Sequence, residues 1–350
     1  MDVTPNSPRH RNLERIDENR QSGNDPRSAD RETTDLTTAF DRDDWALILG
    51  GSSGFGLASA QKLAENGMSV CVVHRDRRGA MARIEPEFEK IRNSGAQFLS
   101  FNADALATDK RDEILTTLVA EAGPEARVKV LLHSIAFGNL KLIAPERVEP
   151  MAGRDQLAER LGVSKSDLSA AVDELFGEGA DALQSLASLP EYPQQSFIED
   201  EDLERTIFSM GTSLLGWAQT LLARGLFADD ARVFGLTSEG NEVAWKGYAA
   251  VAAAKVALES ISRSMAVELA PHGVRSNVIQ AGVTETPALA AIPGSSHLKA
   301  AARQRNPFGR LTTPRDVANM IYLLSTPDAA WVNGEVIRVD GGEHISGAIR

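Results

Sequence analysis

From Trp45 onward, short apolar runs alternate with amphipathic stretches. Trp45–Leu49 reads as a buried strand, followed by the glycine-rich turn "GGSSGFG" and an amphipathic helix ended by Gly67. The couple then repeats. "MSVCVVHRD" predicts a second strand, "MARIEPEFEKIRNSG" a helix ending in glycine, and "AQFLSFNAD" a third strand. "KRDEILTTLVAEAG" predicts another helix and "VKVLLHSIAF" a fourth strand. Continuous apolar strands joined to helices by short connections imply a parallel sheet covered on both faces. The expected class is α/β, a doubly wound parallel sheet.

Between about Gly138 and Asp202 the rhythm breaks. "GRDQLAERLGVSKSDLSAAVDELFGEGADALQSLASL" has helical apolar spacing and predicts a two- or three-helix insertion over 139–202 within one domain. The alternation then resumes: "ERTIFSMGTSLLGWAQTLLARGLF" as a long helix, "ARVFGLTS" as a strand, and "YAAVAAAKVALESISRSMAVELAPHG" as another long helix. "VRSNVIQAG" follows as a strand, "TPRDVANMIYLLST" as a helix and "GEVIRVDGG" as the last strand. The expected domain runs over 44–350. Residues 1–43 are polar and poor in large apolar side chains, so a disordered tail is expected, with a partner-docking arm as the alternative.

Composition narrows the function. A formal net charge of -12 argues against a nucleic-acid groove. The single cysteine, Cys71, excludes an internal disulfide and a cysteine-cluster metal site; its apolar run "VCVV" suits a buried thiol. No metal is expected. No stretch approaches a membrane span, and the N-terminus lacks the apolar segment of a secretory signal, so a cytoplasmic protein is expected.

The chemistry begins at the turn. Gly50, Gly54 and Gly56 permit a tight bend and close backbone approach, and the next helix offers free N–H groups to a pyrophosphate. The second strand ends in "HRDRR" where an acid would bind the ribose of NAD. His74 and Arg75 suit a 2′-phosphate instead, which favours NADPH over NADH; a solvated loop, or Asp76 on the ribose, is the alternative. Asp104, after the third strand, is positioned for the adenine amino group. Further on, Tyr248 and Lys255 are separated by six small apolar residues. On one helix a seven-residue step returns to within ~20° of the same face. A phenol there can bond a developing oxyanion, and an amine can bind ribose hydroxyls or lower the cost of charge on the phenol.

These motifs, with "HSIAF", "TSEG", "NVIQAGVTETPA", "NPFGR" and "RVDGG" in order, resemble the short-chain dehydrogenase/reductase family from Trp45 to about Ile345, the insertion apart. The resemblance implies a Rossmann-like fold. It implies cofactor binding by Gly50, Ser52, Ser53, Gly54, Phe55, Gly56, His74, Arg75, Asp104 and Ala105. It extends that role to Ser134, Ile135, Ala136, Lys255, Gly282, Val283 and Thr286; capping of the next helix is the alternative for Thr286. Most members carry Asn-Asn-Ala-Gly after the fourth strand and space tyrosine and lysine by three residues. "HSIAF" and the six-residue spacing look like the enoyl-acyl-carrier-protein reductases, with Val251 at the usual tyrosine position. A phenol moved ~5.4 Å along a helix suits a carbonyl oxygen further from the hydride acceptor.

The resemblance implies reduction of the trans-2 double bond of an enoyl thioester, on acyl-carrier protein or coenzyme A, in fatty-acid synthesis. Tyr248 would stabilise the enolate and Lys255 bind the nicotinamide ribose. Ser238 stands where the family keeps a catalytic serine, whereas many enoyl reductases have a second tyrosine there. Ketone or hydroxyl chemistry is therefore the competing activity, and a turn role the competing role for Ser238. A non-catalytic dinucleotide module is the third reading. The family's helix asparagine is absent, with Ser209 or Met210 nearest. His133 is expected to shape the pocket rather than carry a proton. Residues 287–306 stand where the family has a mobile substrate lid, with a surface helix-loop as the alternative. A homo-oligomer, dimer or tetramer, is expected. The insertion suits an acyl pocket wall, a carrier surface or an oligomer contact.

Overall fold

Trp45, Leu47 and Leu49 of β1 (Asp44–Leu49) turn to one face of the sheet, and Ala46 and Ile48 to the other. All five are at most 1% exposed. This two-residue period with both faces covered is why the strand is an unbroken apolar run. The computed structural model describes residues 39–147, 151–192 and 197–347. Its seven strands are all parallel, in the order β3-β2-β1-β4-β5-β6-β7. They are β2 (Ser69–His74), β3 (Phe98–Asn102), β4 (Arg127–His133), β5 (Phe227–Ser238), β6 (Val274–Ala281) and β7 (Val336–Val339).

Helices α1 (Gly54–Ala64), α2 (Met81–Arg92) and α11 (Pro314–Ser325) cover one face, burying Leu63, Ile84, Phe88 and Ile321 with the β1 and β2 side chains. Helices α3 (Thr108–Ala122), α7 (Ser213–Ala223) and α8 (Ala249–Glu268) cover the other, burying Leu115, Trp217 and Leu258. Each core cluster is continuous across the sheet. Cys71 is buried in the second, and desolvation pushes its thiol far up, so it is an inert core side chain. β1 lies between β2 and β4, so the chain reverses its winding there. The crevice at that switch point is where this architecture binds ligands.

Three expectations need correction. The expected tail lies outside the described residues up to Thr38, but the fold reaches back before Asp44: Phe40 is buried, edge-on to Tyr322 at 5.9 Å. The long helix before β5 is two helices, α6 (Asp200–Ile207) and α7, joined by a π-turn over Phe208–Thr212. That extra residue lets Gly211 sit against α8, where a Cβ would come 2.7 Å from the Ala254 carbonyl oxygen. Tyr248 is not inside a helix; it is the residue before the first turn of α8, with φ -106° and ψ 4°. Residues 287–306 hold two helices, the four-residue α9 (Pro287–Ala290) and α10 (Ser295–Arg305).

The insertion contains α4 (Ala152–Leu161) and α5 (Lys165–Gly177). It packs against α10. Arg303 makes a two-point ion pair with Asp181, both contacts 2.6 Å, and His297 lies 4.9 Å from the Phe176 ring. No described insertion helix lines the cleft.

Candidate active site

The turn after β1 is shaped by exclusion. Gly50 has φ 88°, and a Cβ there would come 2.5 Å from the Ser134 carbonyl oxygen. Gly56 packs its Cα against the Gly50 carbonyl so closely that any side chain would collide. Ser53 is the N-cap of α1 and makes no side-chain capping bond. The first amides of α1 are thus open to an anion, in a turn that admits only backbone. These residues fit a dinucleotide pyrophosphate.

Gly50, Ser53, Gly54 and Phe55 form one wall of a cavity of about 300 Å³. Ser134, Ile135 and Ala136 after β4 and Gly282, Val283 and Thr286 after β6 also line it. Thr286 lines the cavity, and its Oγ1 accepts from the Leu289 amide at 3.2 Å, capping α9. Ser52 and Gly56 lie outside the lining and act through the turn.

Ser238, Tyr248 and Lys255 meet in the same cavity. The Tyr248 hydroxyl and Ser238 Oγ are 3.3 Å apart. Gly240 makes room for the phenol ring, since a Cβ there would fall 2.5 Å from Tyr248 Cε1. Burial holds the phenol above its usual range, opposed by the Ser238 hydrogen bond, so Tyr248 is a neutral donor. Lys255 Nζ donates to the Leu236 carbonyl oxygen at 2.7 Å. Burial pulls the amine down to about 8, while Glu259, one turn on, pushes it up. Val251 lines the cavity one turn after Tyr248.

His133 is 1% exposed, with Nε2 2.9 Å from Ser213 Oγ. Desolvation first, and then the Lys255 charge, lower it to about 3. The ring is neutral and hydrogen-bonded within the protein, one residue short of the cavity lining that, after β4, starts at Ser134. At the asparagine position, Ser209 bonds the Phe137 carbonyl oxygen, while Met210 lines the cavity.

The residues expected at the adenosine end separate. His74 is buried, its Nδ1 2.9 Å from Asp76 Oδ2 and its ring edge-on to Phe88 at 5.4 Å. It does not reach the crevice, because the last β2 side chain alternates into the α2 face. Arg75 is exposed and bonds Asp104 Oδ2 at 2.9 Å, and the Leu106 amide takes Asp104 Oδ1. Asp104 is therefore engaged within the protein. The Ala105 carbonyl accepts from Trp217 Nε1 at 2.9 Å.

Several site residues were missed. Leu289, Ile292 and Leu298 of the 287–306 segment line the cavity, as do Leu140 and Trp245. Arg305, ending α10, pairs with Glu239 at 2.5 Å and with Glu343 at 3.1 Å. Glu343 Oε1 also accepts from the Val283 amide at 3.3 Å. Glu259 accepts from Thr237 and Asn241, pinning the loop after β5 to α8. The "SEG" beside Ser238 was the one visible signal for Glu239 and Gly240; the other partners are distant in sequence.

Fold and site define a nicotinamide-dinucleotide oxidoreductase. A family model described as enoyl-(acyl carrier protein) reductase matches residues 164–344, and one described as short chain dehydrogenase matches 44–145. The chain belongs to the short-chain dehydrogenase/reductase family. It is 25% identical to the NADH enoyl-acyl-carrier-protein reductase FabI of Bacillus cereus over 222 residues, 62% of this chain and 87% of the relative. It is equally 25% identical to the 3-oxoacyl-acyl-carrier-protein reductase FabG of Vibrio cholerae over 240 residues, 69% and 90% of the two chains. The solved enoyl-acyl-carrier-protein reductase of Anaplasma phagocytophilum, in complex with NAD, superposes with a TM-score of 0.61 at 18% identity, covering 87% of this chain and 93% of that one. That likeness shows the fold.

Proposed function

We propose that the protein reduces the trans-2 double bond of an enoyl thioester with NADPH or NADH. The observation that carries this reading is Tyr248, one turn ahead of Val251 at the mouth of α8, with its phenol in the cavity. The "HSIAF" segment, three residues of which, Ser134, Ile135 and Ala136, line the same cavity, supports it.

A bound reduced nicotinamide supplies the hydride that adds to the β-carbon. Tyr248, kept protonated by burial, donates a hydrogen bond to the thioester oxygen as charge develops there. Lys255, in the same cavity, would bind the ribose hydroxyls of that cofactor, and its charge favours the developing enolate. Leu289, Ile292 and Leu298 exclude water from an apolar acyl chain. Proton return to the α-carbon completes the saturated thioester. The favoured cofactor is NADPH, supported by Arg75 and by the absence of an acid at that position.

The second reading, ketone reduction, is supported by one contact: Ser238 within 3.3 Å of the Tyr248 hydroxyl. The test is cofactor oxidation with a crotonyl or longer enoyl thioester beside the matched β-ketoacyl thioester. Turnover of the enoyl substrate alone is the expected result. Turnover of the ketoacyl substrate alone would assign the Ser238–Tyr248 pair to a ketone oxygen and overturn the first reading.

A further inference from the structure

Phe137, 38% exposed, follows directly on the Ser134–Ala136 wall and precedes Gly138, which also lines the cavity. Two guanidinium groups flank it. Arg75 Cζ lies 4.8 Å from the ring centroid and Arg205 Cζ 4.9 Å. Arg75 comes from the end of β2, and Arg205 from α6, beyond the insertion. A ring face orients a guanidinium without using its edge, which keeps its donors outward. Two cations on one ring repel each other, so an anion between or beside them relieves a cost already present.

The neighbouring carboxylates do not supply that anion in full. Asp104 takes only Nη1 of Arg75, leaving that guanidinium's other donors. On α6, Asp202 is 2.6 Å from Lys141. Among the described residues, Arg205 has no carboxylate within ion-pair distance, although Asp202 feels its charge. The location is specific as well: β2 neighbours β1, and a dinucleotide on the β1 turn extends its adenosine end toward β2.

We propose that Arg205 and Arg75, steadied by Phe137, form a two-guanidinium clip for a phosphomonoester on an adenosine ribose. This rests on the NADPH reading and deepens it: the clip reads the cofactor's 2′-phosphate, and Arg205 is a specificity residue. The same chemistry is offered by the 3′-phosphate of coenzyme A, which the test separates.

The experiment is calorimetric titration of the full chain with AMP, adenosine 2′,5′-bisphosphate and adenosine 3′,5′-bisphosphate. It is repeated for Arg205→Ala, Arg205→Lys and Arg75→Ala. The wild type should prefer the 2′,5′-bisphosphate to AMP, and Arg205→Ala should weaken that ligand about tenfold while leaving AMP unchanged. Arg205→Lys should recover part of the loss, since it restores charge without the fork. If the 3′,5′-bisphosphate is the ligand preferred, and Arg205→Ala removes the preference, the clip stands but its phosphate belongs to coenzyme A. A 2′-phosphate preference untouched by Arg205→Ala would overturn the clip and leave the NADPH reading on Arg75. Equal weakening of AMP would mean Arg205 only props Phe137, which also overturns it. Indifference of the wild type to either added phosphate would defeat both the clip and the NADPH reading.

Discussion

Over β1 the cleft is walled by backbone, whereas its lid side is walled by apolar side chains held in place by ion pairs. The first wall has Gly50 and Gly54, an open helix N-terminus and no charged side chain of its own in the cavity lining, with Gly56 holding the turn from behind. The second hangs from α10, whose Arg303 is tied to Asp181 and whose Arg305 is tied to Glu239 and Glu343. Steric exclusion fixes the first, so a single added carbon is felt at once. Long-range charge pairs fix the second, so its failure is graded and depends on burial. α10 is thus tied along its length, with His297 on the Phe176 ring near its N-terminal end as well as the two arginine pairs near its C-terminal end.

The largest expected effect lies where the walls meet. Tyr248→Phe should lower kcat by about 10²–10⁴-fold with cofactor affinity retained, read by turnover and by fluorescence titration. Unchanged turnover would remove the phenol from the mechanism. Next comes the lid anchor. Arg305→Ala leaves Glu239 and Glu343, which are 8% and 1% exposed, without their shared cation. A loss of about 3–5 kcal/mol in denaturant-measured stability is expected. On the backbone wall, Gly56→Ala forces a Cβ into the Gly50 carbonyl. It should cost about 1–3 kcal/mol and weaken the dinucleotide before any effect on the lid appears.

The pH dependence sharpens the comparison at Lys255. Its native pKa of about 8 lies below the usual 10.5. Between those values the unfolded chain holds the extra proton, so this group makes stability rise with pH across that window. Activity runs the other way: the charge is lost above about 8, and kcat/KM should fall on the alkaline side. A flat profile through that region would show that the charge is not used. The smallest effect belongs to the partly exposed pair on the insertion. Asp181→Ala should cost under ~1 kcal/mol of stability and show mainly as a raised KM for long acyl substrates. An unchanged KM would separate the insertion from the lid.

Much of the fold was legible because burial on both faces writes itself into the strands. Trp45–Leu49, "VCVV" and "VKVLL" have no other reading at that length once helices alternate with them. The glycine turn and the Tyr248–Lys255 pair were visible for the same local reason, each within a few residues of chain. The π-turn at Phe208–Thr212 was not, because it answers the close crossing of α8 at Gly211 and not any pattern in "FSMGTS". His74 was misplaced because one step of strand alternation decides between crevice and core.

The sequence by itself determined the layered α/β architecture, the dinucleotide turn and the residue types available for chemistry. Those follow from local periodicity, glycine sterics and short spacings. Only the tertiary structure decided that Ser238 reaches the Tyr248 hydroxyl, that Lys255 is desolvated, that Asp104 is engaged by Arg75, and that Arg205 and Arg75 both lie against the Phe137 ring. Each depends on groups brought together from different strand ends, and ionisation, pairing and access are properties of that assembled environment.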